Sequence, residues 1–251
     1  IDTAKVVMDG EKNPNLQGFS TAGAPIEGTV CTYLVPLWGA GSDMIKDGKL
    51  NLDTPQARQP FQLYGRMKQA GVLPKNIAEI PTDRIRIDMQ AGNLLFAMSW
   101  GYVWNRLEND ADSKVKGQIG VARLPHDQGG TSATCIGGWQ VAVTAFSKNK
   151  QEAVKFARYL SSPEVSKMQA ILASHLPVFP SVYRDPDVLK ANPWFADALP
   201  VIESAKARPV THQYPQVSDT IRSNMNAYLA GTKTTDTALA DMKSRLQPIF
   251  R

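Results

Sequence analysis

A glycine pair beside a tryptophan, placed directly before a helical segment, constrains this chain more than any other stretch. Gly137, Gly138 and Trp139 open a run that could continue as a short strand over 140–143. Paired glycines let another group approach the backbone closely, or allow φ angles that other residues avoid. The indole adds a large flat face with one hydrogen-bond donor. This combination suits a neutral, polyhydroxylated ligand, and a strand entry with a core tryptophan is the alternative interpretation.

The residues that follow predict an amphipathic helix. Ser147 is a candidate N-cap. Apolar side chains then recur at helical spacing on one face, at Ala153, Val154, Phe156, Ala157 and Leu160. We therefore expect a helix that ends near 160.

A second aromatic cluster follows a predicted buried strand. The nearly continuous apolar run 94–99 predicts a strand covered on both faces, and it leads into Trp100, Tyr102 and Trp104. Ligands of open α/β sheets bind outside the strand ends. A ring stacked on the C–H face of a sugar excludes water while the hydroxyls keep their hydrogen bonds. A hydrophobic cluster at the strand-to-helix corner is the alternative, above all for Trp104.

An early helix is predicted to begin near Pro25 and to end at 39–41. Glu27 lies in its first turn, where a carboxylate complements the helix dipole and backbone N–H groups are unpaired. An ordinary amphipathic helix, with no ligand contact at Glu27, is the alternative interpretation. Elsewhere we expect loop over 1–20 with a short strand near 6–8, and another strand over 118–124. Further helices are expected near 53–71, 82–89, 163–172, 192–207 (kinked or broken at Pro200), 218–229 and 235–249.

Composition excludes several classes of function. No apolar run of the 251 residues approaches the roughly 20 that a membrane-spanning helix needs. The net charge of +5 is scattered, and the densest basic stretches, 148–155 and 206–208, do not interleave with stacking aromatics as a nucleic-acid surface would. The two cysteines fit no metal spacing and the three histidines lie far apart, so we expect no metal, no cofactor and no nucleic-acid partner.

Several blocks together resemble a known family. They are "APIEGTVCTYLVPLWGAGSDM", "LNLDTPQARQPFQLYGRMKQAGVLP", "MQAGNLLFAMSWGYVWNRL", "GVARLPHDQGG", "GGW" followed by "SKNKQEAVKFARYLSSPEVSKMQ", and "ARPVTHQYPQVSDTI". In this order they are similar to the extracellular solute-binding proteins of ABC transporters, in the branch that binds sugars such as maltose and trehalose. The resemblance covers nearly the whole chain. Family members are longer, however, and the chain resembles their later part, without roughly the first third or more.

The resemblance implies an α/β fold of the type II periplasmic-binding-protein class. It assigns residues 1–145 and 208–251 to the C-terminal lobe, with a mixed sheet, and residues 146–207 to the other lobe of the intact protein. It also implies that Trp100, Tyr102, Gly138, Trp139, Arg208 and Glu27 contact ligand. We expect the first five of these to converge on one open concave surface. An arginine beside a helix C-terminus needs no ligand to explain it, so Arg208 has an alternative reading.

The implied function is that of a binding protein without catalytic residues. It would capture a sugar, a disaccharide or an oligosaccharide, in a cleft between lobes and present it to the membrane permease subunits of an ABC transporter, as a monomer. The location would be the periplasm, or the extracellular face with a lipid anchor. The residues from Ile1 onward do not resemble a signal peptide, so they do not report this location directly. A glycoside hydrolase is the alternative, since aromatic platforms and carboxylates serve both, but hydrolysis needs two carboxylates and only Glu27 has a cleft-facing position.

Cys31 and Cys135 are expected near the cleft side of the same lobe. A periplasmic location would permit a disulfide between them. Two small buried thiols are the alternative.

Overall fold

The computed structural model describes residues 1–250 and is built mainly from helices. In chain order the helices and strands are α1 (Asp2–Glu11), β1 (Gln17–Ser20), α2 (Glu27–Gly39), β2 (Ile45–Lys46), β3 (Lys49–Leu50), α3 (Gln59–Gln69), α4 (Thr82–Gln90), β4 (Leu94–Ala97), α5 (Val103–Asn109), α6 (Lys150–Leu160), α7 (Pro163–Ala173), α8 (Pro186–Ala191), α9 (Phe195–Glu203), α10 (Tyr214–Leu229) and α11 (Thr235–Leu246). Single 3₁₀ turns occur at Pro55–Arg58, Ile77–Glu79 and Val182–Arg184. No described helix is both long and apolar enough to cross a membrane.

The chain divides into two compact units. Unit 1 comprises residues 1–99, 122–135 and 205 onward, and unit 2 comprises 100–121 and 136–204. The chain therefore leaves unit 1 after 99 and again after 135. Assignment of the predicted ranges 1–145, 146–207 and 208–251 to two lobes stays a prediction.

Helix α2 forms the centre of unit 1. It is apolar along most of its length, and Tyr33, Leu37 and Trp38 are almost completely buried. Helix α10 packs against it, and Ile221 and Met225 of α10 are fully buried. Close packing of this kind, rather than helix propensity, supplies most of the stability of a protein helix.

The strands form two separate pairs instead of the predicted mixed sheet. β1 and β4 are parallel, with Phe19 opposite Phe96, and β2 and β3 form an antiparallel hairpin. Phe96 is 47% exposed, so the expectation that its strand is covered on both faces is wrong. A strand needs hydrogen-bonding partners on a neighbouring strand. Among residues 1–250 neither strand pair has a third strand beside it, so no larger sheet forms.

Three expected local structures are wrong. Residues 2–11 form helix α1 rather than loop, with Ala4 buried and Lys12 ending the helix in the left-handed region at φ 51°. The glycines and prolines that predicted loop lie at the end of this helix and beyond it. Neither 118–124 nor 140–143 forms a strand in the described structure. Both runs have suitable residues but no paired neighbour.

Helix α3 packs on α10 through a glycine. The hydroxyl of Tyr228 donates to the carbonyl of Phe61 at 2.6 Å, and the two rings meet edge to face with centroids 4.9 Å apart. A Cβ added at Gly65 would lie 2.6 Å from the Tyr228 hydroxyl. Gly65 therefore gives this hydroxyl room to reach α3.

Unit 2 has a small core of its own, formed by α7, α8 and α9. Val188 and Phe195 are fully buried in it. The buried Asn192 donates to the carbonyl of Ala170 at 2.8 Å and accepts from the hydroxyl of Ser174. Pro200 lies inside α9, which continues to Glu203, so the predicted break at Pro200 does not occur.

Helix α6 forms where it is predicted, but none of its side chains is buried. Phe156 is 61% exposed and Tyr159 is 50% exposed on its apolar face. Its N-cap is Asn149 and not Ser147, whose hydroxyl accepts instead from the Asn149 amide at 3.2 Å. An amphipathic helix with an unburied apolar face lacks the packing that its sequence pattern predicts.

Candidate functional site

The carboxylate of Glu27 joins the start of α2 to the start of α10. It accepts a hydrogen bond from Nη1 of Arg208 at 2.8 Å. It also accepts from the hydroxyls of Tyr214 and Ser218. These are charge-assisted contacts, which are stronger than bonds between neutral groups.

Helix geometry explains why two hydroxyls reach one carboxylate. Tyr214 and Ser218 stand four residues apart in the first turns of α10, so they lie on the same face. The pKa of Tyr214 is raised, first by burial and then by its hydrogen bond to the Glu27 carboxylate. Sequence reasoning missed both residues, although their spacing at a helix start was the available signal.

Arg208 and Glu27 differ in their access to solvent. The arginine side chain is 24% exposed and the glutamate side chain 42% exposed. The contact with Glu27 engages one nitrogen of a guanidinium that carries five N–H donors. The pair thus combines a fixed cation with a partly open carboxylate, which is suited to hydroxyl-bearing ligands.

Two thiols lie beside this cluster. Cys31 follows Glu27 by one turn of α2 and is buried, and Cys135 is half-buried. Neither is in a disulfide in the structure, and a hydrogen bond between the two side chains raises the pKa of Cys31. Of the two readings of the sequence, the structure thus shows the thiol form.

The aromatic candidates belong to unit 2. Trp139 is 101% exposed, so its indole is fully presented to solvent. Gly138 is exposed as well, and a Cβ added there would meet nothing within 4 Å. Packing within the chain therefore does not require a glycine at 138, and the backbone is accessible from outside. Trp100 and Tyr102 are half-buried.

Trp104 lies in a cluster of apolar side chains at the strand-to-helix corner, which is the alternative that the sequence left open for it. Its ring lies 6.3 Å from that of Trp194, centroid to centroid. A Cβ at Gly101 would come within 3.0 Å of the Trp194 ring and 3.2 Å of Leu176. These residues close the corner before α5, and Trp104 is part of that corner.

The six predicted ligand contacts thus fall in two groups. Glu27 and Arg208 touch each other in unit 1, while Trp100, Tyr102, Gly138 and Trp139 lie in unit 2. The expected convergence of five of them on one surface stays a prediction. The part of the chain that the structure describes contains no group of three or more His, Cys, Asp or Glu side chains arranged for a metal ion.

These features define a periplasmic-binding-protein-like α/β chain of the type II class. A family model described as bacterial extracellular solute-binding protein matches residues 4–197. The chain belongs to this family.

Individual relatives agree with that assignment. A probable ABC transporter-binding protein of Deinococcus radiodurans is 35% identical over 98% of this chain and 60% of its own length. The maltose-bound structure of T. maritima MalE3 is 31% identical with a TM-score of 0.93, over 99% of this chain and 63% of that one. A solute-binding protein from Thermotoga lettingae TMO, bound with alpha-D-tagatose, is 25% identical with a TM-score of 0.84, over 100% of this chain and 63% of that one. The chain therefore spans somewhat less than two thirds of the relatives that it matches.

The matching family model describes extracellular solute-binding proteins, and the Deinococcus relative is described as a probable ABC transporter-binding protein. The hydrolase alternative would need two carboxylates on either side of a scissile bond. Glu27 is the one acidic residue that the sequence places at the ligand side, and its carboxylate accepts from three neighbouring side chains. The glycoside hydrolase reading therefore has no support.

Proposed function

We propose that this chain is the greater part of a sugar-binding receptor that delivers its ligand to the membrane permease of an ABC importer. The observation that carries the proposal is the full exposure of Trp139 next to the open backbone of Gly138. A solvent-facing tryptophan loses much apolar hydration when a sugar ring covers it. The relatives with bound maltose and tagatose indicate carbohydrates as the ligand class.

Recognition would divide between the two groups of residues. Trp139, Trp100 and Tyr102 would supply faces for stacking on the C–H surface of the sugar. Arg208 and Glu27 would supply directional hydrogen bonds to hydroxyls, as donor and acceptor respectively. In the resting protein the Arg208 guanidinium and the Glu27 carboxylate bind each other, so a ligand hydroxyl would replace part of an existing contact.

Binding would act by shifting the population between open and closed arrangements of two lobes, because the closed form contacts more of the ligand. No covalent bond changes in this cycle. The unburied face of α6 fits this proposal, since a further portion of the protein would cover it. We infer a monomeric receptor held in the periplasm, or at the outer face of the membrane by a lipid anchor.

The test is a thermal-shift screen of the full-length protein against maltose, trehalose, tagatose and mannitol. A ligand that binds the folded state raises the melting temperature by mass action. The matched control is Trp139→Ala, which removes the exposed platform without disturbing packing. A melting temperature that rises equally in both proteins would contradict the proposed site, and no rise with any sugar or polyol would contradict the proposed ligand class.

A further inference from the structure

The backbone that leads into Glu27 is held by several contacts before α2 begins. The amide of Gly23 donates to the carbonyl of Ile80 at 2.9 Å. The side-chain amide of Asn226, two turns along α10 from Ser218, donates to the carbonyl of Gly23 at 2.8 Å. A Cβ added at Gly23 would lie 2.0 Å from the carbonyl oxygen of the neighbouring 3₁₀ turn, so the two backbones touch. The start of α2 therefore has little freedom to move.

With this backbone fixed, the remaining freedom of Glu27 lies in its side chain, and three donors restrict it. Arg208 and Tyr214 donate to Oε1 of the carboxylate, whereas Ser218 donates to Oε2. Because donors engage both oxygens, rotation of the carboxylate about its last side-chain bond would break all three contacts. The carboxylate is therefore held in one orientation.

The acceptor positions of this carboxylate leave room for a ligand. A carboxylate offers about four lone-pair positions. Donors from residues 208–218 use two positions on Oε1 and one on Oε2. The Glu27 side chain is 42% exposed, whereas Ser218 is 4% exposed. The Ser218 hydroxyl thus approaches Oε2 from the buried side, and the unused position on Oε2 is accessible to a hydroxyl from outside.

Helix packing alone does not explain the two hydroxyls at Glu27. Helix α10 already packs on α2, with Ile221 and Met225 of α10 fully buried. A partly exposed carboxylate gains little stability from its charged partners. A binding site, in contrast, gains affinity from a polar group that is oriented before the ligand arrives.

We propose that Tyr214 and Ser218 are positioning residues of the sugar site, which hold the Glu27 carboxylate in the orientation that accepts one hydroxyl of the ligand. This inference rests on the proposed function. Each hydroxyl acts through Glu27 and not by touching the sugar. Because a carboxylate can only accept, the ligand group at this position is a hydroxyl that donates.

The experiment is isothermal titration of the full-length protein with maltose, trehalose, tagatose and mannitol. Tyr214→Phe and Ser218→Ala each remove one hydroxyl from the carboxylate. Each should weaken binding of the preferred compound by about fivefold or more, because a hydrogen bond to a charged group is lost. The fold of each variant is checked by far-UV circular dichroism and urea unfolding. If the buried Ser218→Ala variant does not fold, Tyr214→Phe decides the question.

Helix α10 offers matched controls for both substitutions. Tyr228→Phe and Ser223→Ala remove the same atoms from the same helix. Their hydroxyls donate to backbone carbonyls instead, at 2.6 Å for Tyr228 and 3.3 Å for Ser223. Both controls should keep the dissociation constant within about twofold of the wild type, even where they lower the urea midpoint, because they lie outside the site.

A double-mutant cycle with Glu27→Ala separates positioning from a purely structural role. Glu27→Ala should weaken binding by itself. In that background Tyr214→Phe should weaken binding further by less than about twofold, because no carboxylate is left to orient. A purely structural role for Tyr214 would instead give the same loss of affinity in both backgrounds.

The outcomes distinguish this inference from the function on which it rests. If the wild type binds none of the four compounds, both are overturned. If the wild type binds one of them and neither Tyr214→Phe nor Ser218→Ala changes the affinity, only the positioning role is overturned. Equal losses in Tyr214→Phe and Tyr228→Phe, or in the two backgrounds of the cycle, would also overturn the positioning role alone.

Discussion

Arg208 and Glu27 stand 181 residues apart in the sequence, and their side chains meet at 2.8 Å. The contact ties the segment before α10 to the first turn of α2. The sequence alone marks each residue as a candidate ligand contact, but it does not indicate that the two side chains contact each other. Their pairing means that each holds the other in position before any ligand arrives, which lowers the entropic cost of binding.

We expect Arg208→Met to weaken sugar binding by about tenfold or more, while changing the free energy of unfolding by about 1 kcal/mol or less, because the pair is partly exposed. Isothermal titration and urea unfolding measure the two effects. Arg245→Met is the matched control, since Arg245 forms a comparable ion pair with Asp219 at 2.8 Å, between α10 and α11. Equal loss of affinity in both variants would show a general electrostatic effect and not a site.

Trp139→Ala should reduce the binding free energy of the preferred sugar by about 1–3 kcal/mol, the range for an aromatic anchor. The melting temperature of the unliganded protein should not change, because the side chain is fully exposed. Trp139→Phe keeps a stacking face and should retain most of the affinity. Unchanged affinity in the alanine variant would remove Trp139 from the site.

Truncation of two phenylalanines in unit 2 should change the free energy of unfolding of the 251-residue chain by very different amounts. Phe195→Ala removes a fully buried ring and should lower the free energy of unfolding by about 3–5 kcal/mol. Phe156→Ala removes a ring from the exposed face of α6 and should stay within about 0.5 kcal/mol of the wild type. Denaturant unfolding distinguishes them, and a large loss at Phe156 would show that the α6 face is covered in solution.

The prediction for acidic pH concerns Asp241. Its pKa is lowered, first by the hydrogen bond from Lys233 and then by that from Asn224. A carboxylate with a lowered folded-state pKa stabilises the protein above its unfolded pKa, near pH 4, and that contribution is lost as the pH falls through the folded value. Asp241→Asn should therefore be less stable than the wild type at pH 7, with a difference that shrinks below about pH 4. Urea midpoints across this range measure it.

Lys233→Met provides the matching variant for Asp241. Lys233 donates to Asp241 at 2.9 Å and to Asn224 at 2.7 Å. If the carboxylate acts through this ammonium group, the double variant should be little worse than either single variant. Additive losses would mean that the pH effect has another origin.

The sequence predicts local elements well where local signals decide them. Pro25 and Glu27 mark the start of α2, and Ser162 accepts from the amide of Val165 at 3.3 Å as the N-cap of α7. Helix starts and N-caps of this kind can be predicted from the neighbouring residues in the sequence alone. The strand predicted over 118–124 does not form, because a strand depends on a partner strand that local sequence does not specify.

The candidate site shows the same division. Trp139 is exposed, and Gly138 leaves the neighbouring backbone open. Both observations agree with the interpretation of the Gly-Gly-Trp motif as accessible from outside. The spacing of Tyr214 and Ser218 indicates a shared helix face, but their contact with Glu27 could not be predicted, because they come close to it only when α10 packs on α2. That packing is tertiary, and no sequence period encodes which carboxylate a hydroxyl will meet.

Gly65 has a practical consequence for anyone seeking a more heat-resistant form of this protein. Helix glycines are the usual first targets for replacement by alanine, a change that commonly gains about 0.5–1 kcal/mol. Here the new methyl group would lie 2.6 Å from the Tyr228 hydroxyl and displace it from the Phe61 carbonyl. A consensus or propensity table would rank this position highly, and the choice would remove a contact that joins two helices.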